Sequence, residues 1–219
     1  MKKKPPVPRF PSTKAAAHPD DRSWHNGGDI EIVFYARSLR KAAKRLIETL
    51  DVDPNLQTAW DACPVVLLYR QAVELHLKSL VGEGSNFLAE PTDHITLYKT
   101  HSLRWLAQIV CQIIKTVKWE NEFKCEGVSS LADFSALVNE LEALDPVAVV
   151  VQSKHRGRPG DVPSSLQKSK VLQLVPKLDA LLDMLAATAD GLAAWDLQLE
   201  GISSEADLDD GGDFKPTIQ

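Results

Sequence analysis

The chain contains no run of about 18 apolar residues, so nothing in it reads as a membrane span. Its opening, MKKKPPVPRFP, is basic but is followed by no apolar stretch, so a secretory leader is not expected. Cysteine is scarce: Cys63, Cys111 and Cys125 are odd in number and show neither a CxxC pair nor Cys/His ligand spacing, which argues against a disulfide framework. Reduced thiols and a cytoplasmic location are the expectation. The motifs GK[ST], G-x-G-x-x-G and G-x-S-x-G are all missing, which excludes the usual phosphate loops and the nucleophile elbow of a serine hydrolase. The six histidines are scattered, and only His94 and His101, on a loop and a helix start, can meet, so no metal and no cofactor is expected. A net charge of −5 excludes a whole-molecule nucleic-acid signature, and any such binding must come from a local patch. No internal repeat occurs.

What is present is ordinary for a folded chain. With 219 residues, 44% hydrophobic and 25% charged, it can build one good-sized core. The ends differ from the middle. Six cations against two carboxylates give residues 1–23 a net +4, and six carboxylates against one cation give residues 200–219 a net −5. The expected organisation is a Pro-rich basic arm over 1–28, a helical bundle over 29–201 and an acidic disordered tail over 202–219. The arm reads as a solvated tail or as a clamp on a partner protein or on phosphates, with Trp24 able to pin it to the body.

Periodicity predicts four to five main helices. Ile30–Leu50 repeats Ile32, Tyr35, Ala36, Leu39, Ala43, Leu46 and Ile47 at helical spacing, and its other face carries Arg37, Arg40, Lys41, Lys44 and Arg45. That basic face reads either as a solvated surface or as a phosphate-binding stripe, with Arg37, Lys41 and Lys44 as the candidate nucleic-acid contacts. Gly82 to Thr100 reads as a loop. Thr100 is a plausible cap for a helix over Ser102–Val117, and Ser129 or Ser130 starts another through Leu144. AVVVQ allows one short strand, followed by a basic tip of His155, Arg156 and Arg158, where Arg156 and Arg158 are candidate phosphate contacts. Lys168–Gly201 is the last helix, kinked by Pro176 or holding it in its first turn.

The organising stretch is Pro64–Val81, PVVLLYRQAVELHLKSLV, apolar on nearly all sides and so expected at the centre of the bundle. Arg70, Glu74 and Lys78 stand four apart and share one stripe of it. A carboxylate between two cations within reach keeps its charge in a partly dry place, so these three read as a polar seam in the core, with His101 brought near it.

YRQAVELHLKSLV, followed about twenty residues later by THSLRWLAQIV, resembles the HEPN superfamily of bacterial helical proteins, in which an RxxxExxxKxL helix precedes a loop and an H-x-L-x-x-L helix start. The match covers roughly residues 60–116. It implies a helical bundle that often dimerises, in a superfamily where many members are RNA-cutting toxins or antiviral defence nucleases. Their active residues follow R-x4-6-H, the arginine holding phosphate and the histidine acting as acid or base. Arg70 and His76 satisfy that spacing, but six residues of regular helix is about 240° of rotation and turns the two apart. The expectation is therefore a HEPN-like protein of a defence or toxin–antitoxin system that binds RNA or a nucleotide. The activity the resemblance implies is metal-independent RNA cleavage, with Arg70, Glu74, Lys78, His76 and His101 as candidate site residues. The other reading is a non-catalytic dimerising module that recruits a partner protein.

Overall fold

The computed structural model describes residues 28–53, 59–144 and 168–206. Among them the chain is all-α. In order come α1 Gly28–Val52, α2 Ala59–Gly84, a 3-10 turn at Ser85–Phe87, α3 His94–Lys99, α4 Leu103–Val117, α5 Leu131–Ala143 and α6 Lys168–Ala206. Outside the helices, the described residues pair only in one isolated antiparallel bridge, Cys125 to Val128. The bundle with five long helices is as its periodicity predicts. No described helix is long and apolar enough to cross a membrane. The basic arm, Trp24, the AVVVQ piece, His155, Arg156 and Arg158 lie outside the described residues, as does the expected 202–219 tail beyond Ala206; its first residues, 202–206, are not a disordered tail but continue α6 past the expected end at Gly201.

The helix α2 sits where its composition puts it. Val65, Val66, Tyr69, Ala72, Val73, Leu77, Leu80 and Val81 are all buried, on several sides of the helix at once. It is the hub against which α1, α4 and α6 pack. Only Pro64, Leu67 and Gln71 of its residues from Asp61 onward reach solvent freely, one narrow stripe. Because α2 begins at Ala59, Pro64 falls in its second turn rather than its first; standing on the exposed stripe, its missing N–H costs the core nothing. The helix α4 is the opposite kind, strictly two-faced, burying Leu103, Leu106, Val110, Ile113, Ile114 and Val117.

Three local expectations are revised. The stretch after Val81 is not a plain loop: α2 runs on to Gly84, the 3-10 turn follows, and α3 occupies His94–Lys99. Gly84 does not break α2 because it is needed there: a Cβ would lie 2.7 Å from Ile113 Cγ2, so glycine lets α2 and α4 close up. The N-cap of α4 is Ser102, whose Oγ accepts from the Trp105 N–H, while Thr100 caps the C-terminal end of α3. On α1, the buried arc is Ala36, Leu39, Ala43 and Leu50, and Tyr35 and Leu46 are exposed, because the neighbouring helices cover only part of the apolar arc. Trp119 stacks on Trp195 with centroids 5.2 Å apart, and Phe87 meets Trp195 at 6.0 Å, tying the 3-10 turn and the turn after α4 to α6.

Candidate functional site

The polar seam of α2 closes as its spacing implies. Glu74 Oε1 accepts from Lys78 Nζ at 2.9 Å, and Arg70 Nη1 lies 3.8 Å from Glu74 Oε2. Lys78 Nζ also donates to the carbonyl of Tyr98 at 3.2 Å, and Arg70 Nη2 donates to the carbonyl of His101 at 3.2 Å. So α2 holds the end of α3 and the link that follows it by their backbone carbonyls, and that pins the short link Thr100–Ser102. Glu74 and Lys78 are sealed, their side chains 8% and 5% exposed. Charges so placed stay ionic only because each has a partner, and removing one strands the other.

His101 completes the cluster and is its open end. Its Nδ1 lies 2.9 Å from Glu74 Oε1, while the side chain is 73% exposed. A carboxylate only accepts, so Nδ1 carries the proton and Nε2 is left as the nitrogen for acid–base chemistry. Arg70 stands beside it with one donor unspent: its Nε is buried and has no hydrogen-bond partner. A guanidinium donor without an acceptor is costly and asks for an explanation. Four residues therefore form one graded site, from the dry Glu74–Lys78 pair through Arg70 to the wet imidazole of His101.

His76 is not part of it. It is 3% exposed, its Nδ1 has no partner, and burial, helped by the nearby Arg37 and Arg40 cations, pushes its pKa down to about 4. Arg37 and Arg40 belong to α1, and the carboxylates that act on it, Asp183 and Asp190, belong to α6. Arg70 makes its contacts toward α3 and α4 instead. The R-x5-H spacing thus does not converge within one chain, as the rotation of a regular helix dictates. Sealed under α1 and α6, His76 is also out of reach of a second copy.

The basic face of α1 divides in two. Arg37 and Lys41 are exposed. Arg40 is turned inward: its Nε donates to Asp179 Oδ1 at 2.6 Å, its Nη1 and Nη2 to Asp183, and Nη2 also to the Asp179 carbonyl. Lys44 pairs with Asp179 Oδ2 at 3.2 Å, and the hydroxyl of Tyr69 on α2 donates to Asp179 Oδ1 at 3.1 Å. The bonds to Asp183 and Asp179 hold the Arg40 guanidinium charged and keep Asp183 below the usual carboxylate range, while burial, and after it the Asp179 carboxylate, raises the Tyr69 hydroxyl above the usual phenol range. Sequence reading missed this network, although Asp179 and Asp183, four apart on one face of α6, were its visible half. No protein-family model, curated protein or solved structure matches the chain. The HEPN resemblance accordingly rests on the residues of α2 and of the start of α4. Among the described residues no group of three or more His, Cys, Asp or Glu side chains is placed to hold a metal ion.

Proposed function

We propose that the chain is a HEPN-like protein that engages the phosphate of RNA or a nucleotide at Arg70 and His101, in a bacterial defence or toxin-related setting. The observation that carries this reading is the exposed His101 imidazole oriented by a buried carboxylate, with the Arg70 guanidinium held beside it on the His101 carbonyl. Carboxylate, imidazole and guanidinium are the parts that metal-independent RNA cleavage asks for. His101 Nε2 takes the proton of a 2′-hydroxyl, the 2′ oxygen attacks phosphorus, the bond to the 5′ oxygen breaks, and that oxygen takes a proton from water. Arg70 offsets the charge that builds on the phosphoryl oxygens, and Glu74 steadies the imidazolium. In this reading His101 takes the acid–base role that the motif spacing would give to His76.

The test is total cellular RNA incubated with the purified protein in chelator, beside Arg70→Ala, His101→Ala and His76→Leu variants of equal helicity. Cleavage that is lost in the first two and kept in the third is the expected result. Intact RNA with wild-type protein moves the weight to the second reading, a dimerising module that recruits a partner protein. That reading is supported by exposed Leu67, on the α2 face of Arg70 and Glu74, and by exposed Ile95 on α3.

A further inference from the structure

A second surface, on the far side of α2 from His101, has a composition that the core does not explain. The buried residues of α1, Ala36, Leu39, Ala43 and Leu50, define one arc, and Phe34, Lys41 and Arg45 fall within about 40° of one another on the opposite arc. Phe34 is thus an aromatic near the middle of the wet face, 61% exposed, while Tyr35, about 100° round the helix at the edge of the apolar arc, is 54% exposed. The guanidinium of Arg37 lies over the Phe34 ring, 6.0 Å from its centroid. From Phe34 to Leu46 the helix carries five cations and no carboxylate. Two of them, Arg40 and Lys44, are committed to Asp179. The other three, Arg37, Lys41 and Arg45, are exposed and have no ion-pair partner among the described residues.

The geometry points to the outer face of α1 as a platform for single-stranded nucleic acid: Phe34 stacks on a base, and Arg37, Lys41 and Arg45 hold the phosphates along about 16 Å of helix. Charge decides among the possible occupants. A second copy docked face to face across a two-fold axis would set Lys41 and Arg45 against their own equivalents, and stable interfaces deplete charge at their centres. A membrane helix needs a continuous apolar arc, which Lys41 and Arg45 interrupt between Phe34 and Val52. A polyanion with flat, stackable faces satisfies both halves of the surface at once. The platform goes beyond the Arg70–His101 site and does not depend on it.

The experiment is fluorescence anisotropy of a labelled oligouridylate of roughly 12 nucleotides with the full chain in the Arg70→Ala background, where the α2 site is out of play. Affinity should fall steeply between about 50 and 200 mM salt. Lys41→Ala with Arg45→Ala should weaken binding by about tenfold or more and flatten the salt slope by roughly one to two. Phe34→Ala should weaken it by about fivefold or more at unchanged slope, Phe34→Leu should do the same, and Phe34→Trp should keep wild-type affinity. The side chains substituted on α1 are all exposed, so helicity measured against the Arg70→Ala parent serves as the control for folding. The proposal is overturned by absence of binding at the lowest salt or by equal affinity in all variants. It is overturned equally if Phe34→Ala leaves the oligonucleotide affinity intact and instead dissociates a dimer or abolishes binding to anionic vesicles.

Discussion

Two ionic clusters flank α2, and they are built to different ends. On the α1 and α6 side, Arg40 spends its donors on Asp179 and Asp183, and Tyr69 and Lys44 supply further contacts to Asp179. On the α3 and α4 side, Glu74 is equally well served, but Arg70 keeps a buried donor unspent and His101 opens to solvent. The first cluster ties together helices separated by some 140 positions and leaves nothing over. The second gathers its groups and stops short. A saturated network stabilises, whereas an unsaturated one that ends on an exposed imidazole is a place where chemistry can still be done.

The difference can be broken from either side. Glu74→Leu leaves Lys78 and Arg70 without their carboxylate in a dry site and should cost about 3 to 5 kcal/mol in urea unfolding, the largest loss expected of any single change in these clusters. Acid should expose His76 next. Its folded-state pKa, near 4, lies below its ordinary value of 6.5, so the unfolded chain binds the proton first. Stability from this group is full above pH 6.5 and drains as the pH falls toward 4, by about 3 kcal/mol in all. His76→Leu should abolish that slope in denaturant titrations at pH 7, 5.5 and 4.5, and at pH 7 it should be neutral or stabilising, since it removes a buried unpartnered nitrogen.

Arg40→Lys should cost about 1 to 2 kcal/mol, less than the Glu74 change because Arg40 and especially Asp183 are partly solvated. It should leave any RNA cleavage unaltered. His101→Ala should barely change stability, by about 0.5 kcal/mol or less, because its ring is mostly in water. A large drop in stability for His101→Ala would make the open cluster a structural one and erase the contrast.

The two clusters were also unequally legible. Arg70, Glu74 and Lys78 lie in one helix at a spacing that announces itself, and the H-x-L start brought His101 to them. Leu103 through Ile114 fixed the face of α4 in the same local way. Arg40 could not be read so. Whether a cation on a basic helix face is solvated depends on Asp179 and Asp183 far along the chain, and only tertiary packing brings them together. The helix α3, six residues long, is too short for periodicity to reveal inside a Gly- and Pro-bearing stretch. Gly84 falls within the stretch that reads as a loop, because its role in α2 is to admit Ile113, a partner that only the fold supplies.

The most direct test is a histidine-labelled NMR titration of the full chain with uridine 3′-monophosphate, following the side-chain nitrogens of His101 and His76. The expected result is a saturable shift at His101 that disappears in Arg70→Ala, with His76 unmoved. A His101 signal that ignores the nucleotide, or a response confined to His76, would contradict it.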